Sequence, residues 1–258
     1  MNNNLKITFL GTGTSQGVPV IACSCSVCSS DDIKDNRLRS SIMVSSNNEN
    51  YVVDTGPDFR QQMLRSKVKT LKAILFTHEH KDHVAGMDDV RAFNFAEKRD
   101  MEVFCSVPVQ EALHKEFHYV FSANSYPGIP KVNINLIQNE AFTIEGFPVL
   151  PIQVMHHKMP VFGYRFKDFT YITDAKTVAP EERDKIRGSK ILVVNALRKE
   201  EHISHFNLDQ ALAFIEDIQP ERAYLTHISH LFGTQEEIEN SLPENVFVAY
   251  DGLVIDMD

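Results

Sequence analysis

The stretch that most constrains the fold is "AILFTHEHKDHVAGMDDV". An apolar, strand-like run ends at Thr77, and His78, His80, Asp82 and His83 follow within six residues. On an extended chain, residues two apart point the same way, so His78 and His80 can face one point. Asp82 and His83 come as the chain enters a helix, where they can turn toward a second point and Asp82 can also cap. Imidazole nitrogen and carboxylate oxygen are ligands for Zn, Mn or Fe, and this spacing favours two metals side by side. The chain must therefore bring a strand end, a loop and a helix start to one place.

The rest of the sequence reads as short strands with helices between them. Strands are expected at 6–11, 41–45, 50–56 and 72–77, with a helix over 57–66 that carries Pro57 in its first turn. A helical stretch near 87–98, the strand "MEVFCS" and a proline-opened helix follow. The segments "VNINLI", "AFTI", "FPVLPIQVM", "VFGYRF" and "TYITDA" form a meander of alternating strands. After them come a helix at 180–187, a strand at 190–195, a helix at 207–218, a strand at 222–227, a short helix at 234–241 and two closing strands. Each half runs strands first and helices later, which predicts an α/β chain of two packed sheets with helices outside. No Pro/Gly/Ser-rich linker interrupts it, so a single domain over 1–258 is expected.

Composition narrows the class. The net charge of −9 argues against a nucleic-acid surface, which needs clustered Lys and Arg. "KDNRLR" (34–39) is the best basic patch and reads as a solvated loop. No apolar run is long enough to span a bilayer, and the N-terminus lacks the pattern of a signal peptide. A cytoplasmic protein is the expectation, and there clustered cysteines read as metal ligands rather than disulfides. Three of the four cysteines stand together as Cys23, Cys25 and Cys28. That is one too many for a disulfide and one too few for a four-cysteine zinc site. Cys105, inside an apolar strand, reads as a small buried residue. "GTGTSQG" has the wrong spacing for a dinucleotide fingerprint and reads as a close-packed turn.

The histidine motif at a strand end resembles the signature of the metallo-β-lactamase fold superfamily. "FLGTGTSQGVP", "YVVDTGPDF", "PIQVMHHKMPVFGYRF", "TYITDA" and "AYLTHISH" follow in that family's order. The resemblance implies an αββα four-layer sandwich. It implies that His78, His80 and His156 hold one divalent metal, Zn or Mn, and that Asp82, His83 and His227 hold another. Asp174 would bridge them, and Asp82 would also count as catalytic. His156 has a neighbour in His157; strand alternation sends only one inward, and the family pattern favours His156. Asp54, ending "YVVD", is expected behind the ligands, orienting a metal-bound histidine through its other nitrogen.

"CSCSVC" narrows the resemblance to the PhnP-like phosphodiesterase branch, the phosphoribosyl cyclic phosphodiesterases. There a C-x-C-x-x-C loop is completed by a histidine near the C-terminus. The matching position is His230, which implies a closed structural zinc site of Cys23, Cys25, Cys28 and His230 on a loop inserted at about 20–30. The branch implies hydrolysis of a small phosphodiester, a cyclic ribose phosphate or a nucleotide-like molecule, by water activated on two metals. His205 matches the position of the general acid. Lys158 is a weak candidate for phosphate binding, and His114, His118 and His202 match nothing. The resemblance also brings the expectation of a homodimer.

Other branches fit less well. No cysteine falls near Asp174, where many true β-lactamases of this fold carry a ligand. The flavin-dependent di-iron relatives have a carboxylate at the His80 position and an added domain. Transfer-RNA 3′-processing enzymes share the motifs but usually project a basic arm, and 122–135 is short and neutral. Such an endonuclease, a non-catalytic nucleotide-binding module on the same fold, and thioester or lactone hydrolysis are the alternatives.

Overall fold

The computed structural model describes residues 5–122 and 126–257. In chain order the strands are β1 (Leu5–Gly11), β2 (Ser41–Ser46), β3 (Glu49–Val53), β4 (Ala73–Leu75), β5 (Met101–Cys105) and β6 (Val132–Leu136). Next come β7 (Phe142–Ile144), β8 (Phe147–His156), β9 (Met159–Phe166), β10 (Phe169–Tyr171), β11 (Ile191–Asn195), β12 (Arg222–Thr226) and β13 (Val246–Val248). The last is β14 (Val254–Met257). The α-helices are α1 (Phe59–Arg65), α2 (Lys81–Val84), α3 (Arg91–Glu97), α4 (Val107–Glu116), α5 (Pro180–Ile186), α6 (Leu208–Ile218) and α7 (Gln235–Glu239). The strands form two seven-stranded sheets, and each belongs to its own compact unit. No described helix is long and apolar enough to cross a membrane.

The first unit comprises Met1–Gly11, Arg39–Gln138 and Gly252–Asp258. Its sheet has the order β14-β1-β2-β3-β4-β5-β6. The first four strands pair antiparallel and the remainder parallel. Parallel strands are covered on their faces and read as unbroken apolar runs, as "AIL" of β4 does, fully buried. Phe59 and Met63 of α1, Phe93 of α3, and Val109 and Leu113 of α4 pack with Ile74, Phe76, Met101 and Val103 into one core. Pro57 lies before α1 rather than in its first turn. Asp58 stands at the cap position, but its carboxylate accepts from the Arg39 backbone N–H (2.9 Å) and pairs with its guanidinium (3.1 Å) instead of capping. The stretch expected near 87–98 divides into a 3-10 turn over Met87–Val90 and then α3.

The second unit comprises Thr12–Leu38 and Asn139–Asp251. Its sheet runs β13-β12-β11-β10-β9-β8-β7. Strands β7 to β10 form four of the five segments of the expected antiparallel meander, whereas the first, "VNINLI", is β6 and pairs parallel with β5 in the sheet of the first unit; β10 to β13 are parallel. Helix α6 buries Ala211, Phe214, Ile215 and Ile218 against Leu192, Val194, Ala223 and Leu225. Its start is fixed by a capping box, in which Asn207 and Gln210 each bond the other's backbone N–H. That cap comes two residues after His205 and so sets where the His205 loop must end.

Candidate metal sites

In the first unit the chain leaves β4 through Phe76 and Thr77 and turns into α2, a single helical turn. His80, not Asp82, takes the cap position; Asp82 lies in the first turn and His83 is fully buried. The loop is held tightly against the end of β3. A Cβ on Gly56 would meet the Asp82 carbonyl oxygen at 2.1 Å, and one on Gly86 would meet that of Gly56 at 2.1 Å. Only glycine permits that approach.

Asp54, just past β3, is completely buried and organises the histidines. One carboxylate oxygen accepts the Thr77 backbone N–H (2.8 Å), and the other accepts the Thr77 hydroxyl (2.8 Å) and His83 Nδ1 (2.7 Å). A carboxylate only accepts, so Nδ1 of His83 carries its proton and Nε2 presents a lone pair. The Thr77 hydroxyl gives its proton to Asp54, so it accepts from His78 Nδ1 at 2.9 Å, and His78 Nε2 likewise presents a lone pair. One carboxylate thus sets the tautomer of two histidines, directly for His83 and through Thr77 for His78. Burial pushes the Asp54 carboxyl above its ordinary range, and His83 opposes that rise. The resulting acceptors are close: His78 Nε2 lies 3.0 Å from His80 Nδ1, and His83 Nε2 lies 3.2 Å from an Asp82 oxygen. Lone pairs gathered beside a carboxylate fit a divalent cation.

The second unit carries a parallel arrangement. β8 ends at His156, which is buried, and the two-residue turn to β9 exposes His157 and Lys158. The inward member of the pair is therefore His156, as strand alternation requires of one of them. His156 Nδ1 donates to the Ser204 carbonyl at 2.9 Å, which leaves Nε2 as its acceptor. Asp174 follows β10, and Thr173 repeats the part of Thr77. Its hydroxyl donates to Asp174 Oδ2 (2.7 Å) and lies 3.3 Å from His227 Nδ1, so His227 presents Nε2 beside Asp174 Oδ1 (3.3 Å). His205 is buried, with Nε2 3.0 Å from the same Asp174 oxygen. Asn195 at the end of β11 clamps the chain after Asp174, bonding both the N–H (2.7 Å) and the C=O (3.0 Å) of Ala175. His156, Asp174 and His205 each offer a ligand atom within 4.8 Å of the others.

The cysteine loop also lies in the second unit, and it meets His230. The sulfurs of Cys23, Cys25 and Cys28 stand 3.2, 3.4 and 3.5 Å from His230 Nδ1. A tetrahedral zinc with Zn–S near 2.3 Å and Zn–N near 2.0 Å separates sulfur from nitrogen by about 3.5 Å, so the donor set fits zinc. Two backbone N–H groups point at sulfurs, Val20 to Cys28 (3.3 Å) and Cys28 to Cys25 (3.4 Å). The Cys28 N–H is the chief reason the Cys25 thiol is held down to about 6, whereas burial pushes Cys28 up to about 11. Ser229 anchors the histidine segment through its N–H and hydroxyl to the Leu197 carbonyl. Cys105 is fully buried in β5, where burial alone pushes its thiol up to about 12.

Thr77, Thr173, Asn195 and Ser204 escaped the sequence reading. A signal for two of them exists, since threonine immediately precedes a ligand candidate in "FTH" and "ITD". Asn195 and Ser204 act through backbone contacts that no spacing reveals.

Residues 49–228 match the model of the beta-lactamase superfamily domain. The crystal structure of a diphosphatase from the PhnP family is 35% identical to this chain. It covers 98% of this chain and 97% of that one, with a TM-score of 0.93. The octanoyltransferase of Porphyromonas gingivalis is 35% identical over 252 residues, which is 96% of this chain but 51% of that protein. Ribonuclease Z of Acaryochloris marina is 28% identical over 169 residues, 64% of this chain and 48% of that enzyme. The chain thus spans about half the length of these two curated relatives. Both sheets, the helices and the motif order agree with the expected fold, and the chain belongs to the beta-lactamase superfamily, whose members are metal-dependent hydrolases, and within it to the PhnP-like family.

Proposed function

We propose that this chain is a dinuclear metal-dependent phosphodiesterase acting on a small phosphodiester, a cyclic ribose phosphate or a nucleotide-like molecule. In this reading the family pattern allots His78, His80 and His156 to one ion and Asp82, His83 and His227 to the other, with Asp174 shared. Cys23, Cys25, Cys28 and His230 hold a zinc that stiffens their loop. The divalent ions, Zn or Mn, supply a water of lowered pKa and neutralise charge on the phosphate. The protein's own part is to hold the ligand histidines in one tautomer, through Asp54 with Thr77 and through Thr173 and Ser204, and to deliver a proton to the departing oxygen.

His205 carries the reading. Its Nε2 lies 3.0 Å from Asp174, so an imidazole acid stands beside a candidate ligand. A ribose alkoxide leaves only with a proton, and such an acid is worth about 10² to 10⁴-fold. The PhnP-family relative, a diphosphatase, supports chemistry at phosphorus.

The test uses two substrates on the zinc- or manganese-loaded chain, a 2′,3′-cyclic nucleotide and an aryl phosphodiester. Both should turn over. His205→Ala should slow the cyclic nucleotide by about 10² to 10⁴-fold and the aryl ester far less, because nitrophenolate departs without help. Equal loss on both substrates sinks the acid role, and no turnover of either sinks the phosphodiesterase reading.

One observation favours a second substrate class. The relative about twice as long is named an octanoyltransferase, and activated water also attacks a thioester carbonyl. An octanoyl thioester is therefore the next substrate to assay. Precursor transfer RNA is the control for the ribonuclease Z likeness.

A further inference from the structure

Four cations gather where the sheet of the first unit outruns the helix packed on it. The seven-residue α1 is about 10 Å long, whereas the seven-residue β1 runs about 23 Å. The chain leaves α1 at Ser66, turns through left-handed Lys67 (φ 52°) and returns over 68–70 toward β4. Beyond the helix end lies a groove of about 580 Å³, within the range of small-ligand sites. Residues of β1, β2, the start of β3 and β14 line it on one side, and 65–70 on the other. Its lining includes Lys6, Arg65, Lys67 and Lys69 and no carboxylate. That reverses the local sign in a chain of net charge −9.

The basic stretch "KDNRLR" offers no such surface, since Arg37 is buried and Arg39 pairs with Asp58. In the groove, Lys6, Lys67 and Lys69 are exposed and form no ion pair among the described residues. Asp256, the cross-strand partner of Lys6 on β14, makes none with it either. The negative end of α1 accounts for cations at 65 and 67, but it carries about half a charge and does not involve Lys6 on β1. The floor holds an unmet donor as well. Thr8 is 6% exposed and lines the groove, yet its hydroxyl bonds no group among the described residues. An anionic oxygen in the groove would take that proton. Beside it, the Ser45 hydroxyl donates to Asn50 Oδ1 (2.7 Å), and Asn50 Nδ2 donates to the Thr70 carbonyl (3.0 Å). These bonds tie the lysine-bearing loop to the sheet.

No aromatic ring lines the groove, so nothing there stacks on a base. Lysines on two sides, β1 and the loop after α1, match a row of negative charges rather than a single one. We propose that this groove binds a linear oligophosphate, inorganic tripolyphosphate or the triphosphate of a nucleotide, with Lys6 on one side of the chain and Lys67 and Lys69 on the other. The groove lies at the Asn50 end of β3, and Asp54 follows the other end, roughly 13 Å away. It is therefore separate from the histidine loop of the first unit. The site stands whether or not the phosphodiesterase reading does.

Amide ¹H–¹⁵N spectra of the zinc-loaded protein locate binding and measure it in one titration. Tripolyphosphate and a nucleoside triphosphate should each shift the amides of Thr8, Ser45, Ser66 and Thr70. Their dissociation constants should agree within about threefold, because the base meets no partner, and the nucleoside alone should shift none of these amides. Lys6→Gln, Lys67→Gln and Lys69→Gln combined should weaken both ligands by about tenfold or more, since an exposed ion pair is worth up to about fivefold. Lys6→Arg, Lys67→Arg and Lys69→Arg combined keep the charge and should keep the binding. All three side chains are exposed, so melts and metal content of both variants should match the wild type. Unchanged affinity in the Gln variant overturns the proposal, as do ligand shifts confined to 78–83. A nucleoside triphosphate that binds while tripolyphosphate does not overturns the phosphate chain as the recognised group. Single-stranded RNA bound far more tightly than either, and lost in the Gln variant, overturns the small ligand in favour of a nucleic-acid surface.

Discussion

Asp54→Asn is the sharpest probe of how the first unit prepares its ligands. The backbone at Asp54 is left-handed (φ 66°), a conformation that Asn shares with little strain, so the substitution changes hydrogen bonding and charge alone. The carboxylate now accepts three hydrogen bonds, from the Thr77 N–H, the Thr77 hydroxyl and His83 Nδ1–H. An amide must turn its NH₂ toward one side. Toward the Thr77 N–H, it leaves a buried backbone donor unmet, at about 1–3 kcal/mol. Toward His83, it forces the ring to accept at Nδ1 and carry its proton on Nε2, which removes the lone pair facing Asp82. The second arrangement avoids the unmet donor, because Thr77 Oγ1 can accept from the amide. The variant should therefore fold normally and bind metal weakly. Loss of a partner behind a ligating histidine typically costs 10 to 100-fold in metal affinity, or about 1.4–2.8 kcal/mol. Titration against a chelator of known affinity measures the change, and a melt of the metal-free protein controls for folding. Metal affinity within about twofold of wild type, with folding intact, would refute the tautomer reasoning for His83.

Two further outcomes concern the second unit. Cys25→Ser should yield a chain that binds one zinc fewer and whose 20–30 loop is cut by protease. Within that loop only Val27 is a buried apolar residue, and Ile21 is 96% exposed; unchanged metal content by mass spectrometry would contradict the site. Arg37→Leu should destabilise the protein in urea unfolding by about 1–3 kcal/mol for each buried acceptor left without a donor. Its guanidinium, 3% exposed, donates to Thr12 Oγ1 (2.9 Å), the Ala249 carbonyl (2.6 Å) and Gln235 Oε1 (2.5 Å), all of which lose their donor.

The strands could be read from the sequence because apolar runs of the right length alternate with helices. Every strand expected between residues 6 and 257 has a counterpart, within a few residues at its ends. That the three cysteines meet His230 was legible because three candidate ligands stand within six residues and the family pattern supplied the fourth. What the sequence hid was which segments share a unit. Residues 12–38 leave the sheet that begins with β1 and join the second unit, although neither composition nor charge changes at Thr12 or Arg39. The partner of a strand depends on which apolar faces meet, and a hydrophobic pattern does not name them.

Two candidate ligands and the carboxylate behind the histidines share one backbone device that explains both their precision and their poor visibility. Asp54, Asp174 and His227 follow the ends of β3, β10 and β12, and each is left-handed, with φ of 66°, 59° and 56°. An extended chain would send neighbouring side chains to opposite faces. A left-handed residue breaks that alternation, which is how the Thr173 hydroxyl reaches both Asp174 and His227. Such residues cost on the order of 1–3 kcal/mol, less for Asp, and persist only where the surroundings over-determine them. Here they do. The backbone after Asp174 is clamped on both sides by Asn195. The Thr55 N–H after Asp54 is held by the His83 carbonyl (2.8 Å), and the Ile228 N–H after His227 by the Thr12 carbonyl (2.9 Å). A polar residue ending an apolar run, as in "VVDT", "YITD" and "YLTH", therefore marks a strand terminus whose strain is held by specific partners. The strand end alone places such a residue within three positions. Its direction is set by the partner that holds the turn.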